Sequence, residues 1–131
     1  MNTMWWQQLG LVACGGALGA GARFIVSGWM LRAAGTGFPW GTLAVNLLGC
    51  FLAGLLLVWL EERGPSALWW RAFLMVGVLG GLTTWSALIV EMTLLNRTAG
   101  PSWAATYLAA SLVGSLLLIW LGLRIGSALR G

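Results

Sequence analysis

The chain has 131 residues, of which 60% are hydrophobic and 8% charged; it carries seven arginines, three acids and no lysine, aspartate or histidine. This composition lies outside the range of soluble globular proteins, and the length allows one compact unit, residues 1–131, rather than two domains. The net charge of +4 comes from arginines scattered along the chain, which fits topology signals and headgroup contacts and not a nucleic-acid surface. Cys14 and Cys50 sit inside apolar runs without partner spacing, so they read as small packing residues and not as a disulfide or metal site.

The ten charges leave four uncharged runs, residues 1–22, 33–60, 72–90 and 98–123. A spanning helix needs roughly 20 mainly apolar residues, so each run qualifies and the chain is expected to be an all-α membrane protein with four transmembrane helices. The first helix is expected over 6–31. Its apolar pattern passes through Arg23 without a basic start or a small-residue cleavage site, so it does not read as a removable signal peptide. The second is expected over 40–60, the third over 69–95 with an interruption near 80–84, and the fourth over 103–129. The connecting stretches "AAGTGFPWG", "EERGPSALWW" and "NRTAGPS" all carry Gly and Pro, as turns do. Tryptophans 5, 6, 40, 69, 70 and 103 cluster near the helix ends, where an interfacial belt belongs, while Trp85 falls at mid-membrane depth.

Small residues recur at four-residue spacing at Gly15/Gly19, Gly49/Ala53, Gly77/Gly81 and Gly122/Gly126, a pattern that lets membrane helices approach closely. Arg63, Arg71, Arg124 and Arg130 fall on the side of the termini, against Arg23, Arg32 and Arg97 toward the other. That near balance predicts insertion in both orientations, because orientation follows Lys/Arg excess.

Polar groups inside the spans are few. Thr42 and Asn46 share one face of the second helix, where an amide needs protein or a water-filled path around it. An interhelical hydrogen bond and a pore lining account for Asn46 equally well. Tyr107, Ser111 and Ser115 form a hydroxyl stripe about 12 Å long on the fourth helix. In the third helix, Gly80-Gly81 followed by Thr83-Thr84 weakens the helix and would free carbonyls at membrane depth. Freed carbonyls are tolerated there only when buried in protein or bound to something.

The stretches "GGALGAGARF", "GTLAVNLLGCFLAG" and "GVLGGLTTWS", with the Tyr107–Ser111–Ser115 track, resemble in order the Fluc (CrcB) family of fluoride channels. The resemblance implies an antiparallel, dual-topology homodimer with two pores, a multi-pass protein of the inner or plasma membrane, surrounded by lipid and without a nucleic-acid partner. It also implies a structural Na+ at the dimer centre, held by the Gly80 and Thr83 carbonyls of both copies. Asn46, Tyr107, Ser111 and Ser115 match pore positions; Arg23, Thr42, Thr84 and Glu91 match supporting ones. The family's Thr-Thr-Phe-Ser-Thr-Phe reads "TTWSAL" here, which puts Trp85 and Leu88 where two aromatic rings line the fluoride path. Trp85 keeps a ring edge of positive character and adds an N–H, whereas Leu88 offers neither.

Fluoride is small and tightly hydrated, so a pore must replace its water with donors that do not hold it too firmly. Uncharged amide and hydroxyl donors suit passive export without a catalytic cycle. Rival classes are a small dual-topology multidrug or guanidinium exporter, which needs a deep carboxylate early in the chain where this one has none, and one subunit of a heteromeric Fluc pair.

Overall fold

The computed structural model describes residues 3–131, so the first two residues of the leading uncharged run lie outside the description. The described residues hold four helical segments long and apolar enough to cross a membrane, and no strand. Helix α1 is Thr3–Ala34 and α2 is Trp40–Glu61. The third span is split into α3, over 67–82, and α4, Trp85–Thr98, and α5 is Pro101–Arg130. The chain is a multi-pass membrane protein. Most helices extend past the ends expected from hydropathy because interfacial residues continue the backbone ladder. The 32 residues of α1 reach about 48 Å, more than the roughly 30 Å of hydrocarbon.

Turn chemistry sets the ends. Gly35 and Gly100 take positive φ (78° and 99°) just beyond α1 and α4, where a left-handed residue stops the helix. The Gly35 N–H donates to the Leu31 carbonyl, and the N–H groups of Ala99 and Gly100 both donate to that of Leu95. Pro101 then opens α5, in the first turn where a missing N–H costs nothing.

The third span departs from expectation in two ways. Its first half is π-helical over Arg71–Leu79, a widened coil that the hydrophobic pattern does not distinguish from an α-helix. The interruption lies at Thr83 and Thr84 alone, both extended (ψ 154° and 122°), whereas Gly80–Leu82 stays helical. Gly81 serves close packing instead: a Cβ there would collide with the Gly16 carbonyl of α1.

Two glycine seams hold the bundle. Along α1 and α3, Gly15 and Gly19 face Phe73, Gly77 and Val78 backbone so closely that neither has room for a side chain. Along α2 and α5, Gly122 meets the backbone of Phe51 and Gly54, its would-be Cβ 3.1 Å from the Gly54 Cα. The α5 pair Gly122/Gly126 therefore meets Gly54 and Val58, while Gly49 receives the Thr83 methyl group. Between the seams lie two apolar clusters, Leu43/Leu88/Leu95/Tyr107 and Val45/Leu79/Leu82. Large side chains such as Phe24, Trp29, Leu116 and Leu129 are exposed on the outside, as lipid-facing residues are. Cys14 is exposed on α1 and not packed, and Cys50 is half-buried; both are free thiols.

Candidate functional site

The break in the third span is built by side chains that take over backbone hydrogen bonds. In an unbroken helix the Thr84 N–H would donate to the Gly80 carbonyl; here it donates to Asn46 Oδ1 at 2.7 Å. Asn46 Nδ2 donates in return to the Thr84 carbonyl at 3.0 Å. The Ala87 N–H, which would otherwise reach the Thr83 carbonyl, is taken by Thr84 Oγ1 at 3.2 Å, making Thr84 the N-cap of α4. The break thus deprives the Gly80 and Thr83 carbonyls of their helical donors, and with them those of Gly81 and Leu82, whose donors would be the Trp85 and Ser86 N–H groups of the first turn of α4. Thr83 closes the preceding helix, its N–H and Oγ1 both donating to the Leu79 carbonyl at 2.9 and 2.8 Å.

One turn above Asn46, Thr42 Oγ1 donates to Glu91 Oε1 at 2.7 Å, and Tyr107 OH donates to Glu91 Oε2 at 2.8 Å. This carboxylate thus ties α2, α4 and α5 together and accepts one charge-assisted bond on each oxygen. The resemblance implies only supporting roles for Glu91 and Thr42, and the sequence shows no pairing because the partners lie 49 and 16 positions away. The available signal was chemical: Glu91 is the sole acid inside a span, and such a group needs donors at its own depth.

Two cavities flank this layer. One, about 440 Å³, is bordered by Glu91, Leu95 and Thr98 and by Phe38 and Gly41 at the start of α2. The other, about 460 Å³, is bordered by Asn46, Thr84, Trp85, Leu88, Ser111 and Ser115, with Gly80 and Thr83 on its wall. Tyr107, 0% exposed, and Leu88, 3% exposed, pack together and form the partition. Trp85 stands at the outer rim, 62% exposed, in the first turn of α4, whose unpaired N–H groups give that end a positive character. The structure thus gathers Asn46, Thr84, Trp85, Leu88, Ser111, Ser115, Gly80 and Thr83 around one groove, while Glu91, held by Thr42 and Tyr107, borders the other cavity. Arg23 lines neither cavity; its Nε is buried on α1 without a hydrogen-bond partner among the described residues.

Ser111 differs from most threonines of these helices. Thr83, Thr93, Thr98 and Thr106 each donate to the carbonyl four residues earlier, the usual resting place of a helical hydroxyl. Ser111 is 2% exposed and its Oγ has no partner among the described residues. A buried hydroxyl needs a partner, and the groove that Ser111 borders with Asn46 and Ser115 is where one can reach it.

The fold and the site define a four-span integral membrane protein with a broken third span, a hydroxyl-lined groove and, beside a second cavity, a half-buried carboxylate. Residues 10–123 match the family described as CrcB-like protein, Camphor Resistance (CrcB). The chain is 53% identical over 123 residues to a protein of Xanthomonas euvesicatoria pv. vesicatoria named fluoride-specific ion channel FluC, covering 94% of this chain and 92% of that one. Relatives of the same name include one from Xylella fastidiosa (strain 9a5c), 48% identical over 97% of this chain and 90% of its own length. Another, from Agrobacterium fabrum, is 43% identical over 91% of this chain and 95% of its own length. The chain belongs to the CrcB family.

Proposed function

We propose that the chain is a fluoride channel that exports fluoride by passive electrodiffusion, working as an antiparallel homodimer with two pores. The observation that carries this reading is the groove itself, where the buried Ser111 hydroxyl, without a partner among the described residues, stands beside Asn46, Ser115 and an indole edge. A small anion entering that groove meets O–H and N–H donors and the positive end of α4, and no fixed cation to trap it. Asn46 has one Nδ2 hydrogen left after its bond to Thr84, so it holds the break and can still face the groove.

From Ser111 the way inward is closed by Tyr107, whose hydroxyl is engaged by Glu91. Fluoride reaching that point competes with the carboxylate for the Thr42 and Tyr107 hydroxyls. Release of those hydroxyls lets Glu91 turn into the adjoining cavity that it already borders, opening the way between the two cavities. At the hydroxyls one anionic acceptor replaces another, and the displaced carboxylate is solvated in the adjoining cavity, so the passage runs down the fluoride gradient alone.

The resident cation implied by the family fits what one chain offers only in part. Gly80 and Thr83 supply two backbone oxygens deprived of their helical donors, the hard oxygen ligands an alkali-metal ion takes. Two oxygens are too few to replace its water, so an inverted second copy must bring the same pair. A bound Na+ would fix the two breaks against each other and raise the potential felt by an anion in either groove.

The test is fluoride efflux from liposomes holding the purified chain alone, read with a fluoride electrode. Rapid efflux driven by the fluoride gradient alone, and little of chloride, is expected. Efflux no faster than the leak of empty vesicles would overturn the proposal, and efflux restored only by adding a second, related chain would assign this one to a heteromeric pair.

A further inference from the structure

Two shallow apolar grooves on the side of the termini converge on one arginine. The first, about 300 Å³, lies between the start of α1 and α3, walled by Leu9, Val12 and Val76. The second, about 370 Å³, lies between the end of α2 and α3, walled by Leu57, Leu60 and Ala67, with Glu61, paired to Arg130, on its border. Leu68 and Arg71 border both. Arg71 is exposed and makes no ion pair among the described residues. The two acids at this end pair instead with Arg130, whose Nη1 lies 2.6 Å from Glu61 and whose Nε lies 2.8 Å from Glu62. Arg63, the neighbouring cation, rests over the Trp59 ring, 3.8 Å from its centroid.

We propose that Arg71 and its twin grooves form a site for one two-chain anionic phospholipid, with headgroup phosphate on the guanidinium and one acyl chain in each groove. A planar guanidinium matches two phosphate oxygens with parallel N–H donors, and Arg71 sits beside Trp69 and Trp70, residues that settle at headgroup level. Acyl chains are already out of water in a bilayer, so the grooves contribute shape and the discrimination between headgroups falls to Arg71. One basic residue at the surface favours an anionic over a zwitterionic lipid by about five-fold.

The full-length protein is purified from membranes of mixed phosphatidylglycerol and phosphatidylcholine, and retained lipid is counted by native mass spectrometry. One phosphatidylglycerol per chain is expected, favoured about five-fold over phosphatidylcholine. Arg71→Gln removes the preference, whereas Arg124→Gln, an exposed arginine at the same end that lines neither groove, leaves it intact. Val12→Trp, which fills the first groove and leaves the charge, lowers retention of both lipids. Equal retention by Arg71→Gln and the parent chain overturns the proposal, as does an equal loss in Arg124→Gln. Lipid carried by single chains but absent from dimers also overturns it, by assigning the grooves to a second copy. None of these readouts depends on fluoride conduction.

Discussion

Asn46 holds its place by a reciprocal pair of hydrogen bonds, accepting from the Thr84 N–H and donating to the Thr84 carbonyl. An aspartate would keep the acceptor, lose the donor and set an anionic oxygen against a carbonyl. Asn46→Asp is therefore expected to abolish fluoride efflux and to lower stability by about 1–3 kcal/mol, the cost of an unsatisfied buried group. Efflux and thermal unfolding measured on the same preparation check both effects, and normal conduction would remove Asn46 from the path. The four-residue spacing of Thr42 and Asn46 made their shared face readable from sequence, because helical geometry alone fixes it. Neither partner was readable. Glu91 and Thr84 meet that face only after three helices have packed, and Asn46 turned out to serve the interhelical bond and the groove wall together.

At the scale of elements, the two glycine seams and the broken span follow from different physics. The glycines allow backbone-to-backbone approach where side chains would have kept helices apart, which the four-residue spacing announced. The identity of the facing partners was not announced, since spacing on one helix carries no information about its neighbour: Gly122 faces Gly54, and Gly49 faces Thr83. The sequence points to a break over a stretch including both glycines, but both stay helical, Gly81 packed against the α1 backbone at Gly16. Thr83 and Thr84 leave it because their hydroxyls and the Asn46 amide substitute for the missing ladder bonds. A valine at Gly19 would drive its Cβ into the Val78 carbonyl and to 2.8 Å from the Leu82 nitrogen. Gly19→Val is expected to lower the melting temperature in detergent and the yield of folded protein, while Gly10→Val, with open space around it, changes neither. Equal behaviour of the two variants would contradict the seam.

For the whole molecule, the arrangement of four spans brings the ends of α2 and α5 together, where Arg130 is clamped by Glu61 and Glu62. Four arginines lie on that side and three toward the other, a bias too small to fix orientation. A C-terminal reporter is expected in comparable amounts on both sides of the membrane, and a single location would contradict an assembly of inverted copies. Four spans and their approximate ends were legible because lipid imposes length and hydropathy directly on sequence. Longer helix ends, the π-helical coil of α3 and the two cavities were not, since each depends on what packs against what. Trp85 and Leu88 mark the same limit: the family resemblance implies both on the path, and the fold sets one exposed at a groove and the other in a core cluster.

Replacing Ser111 by alanine tests the central claim most directly, because no hydrogen bond to the rest of the protein is lost. A hydrogen bond to an anion contributes about 1.5–3 kcal/mol, so fluoride efflux from liposomes is expected to fall roughly ten- to hundred-fold with the melting temperature unchanged. Efflux equal to that of the parent chain would contradict a fluoride path along the Ser111 groove.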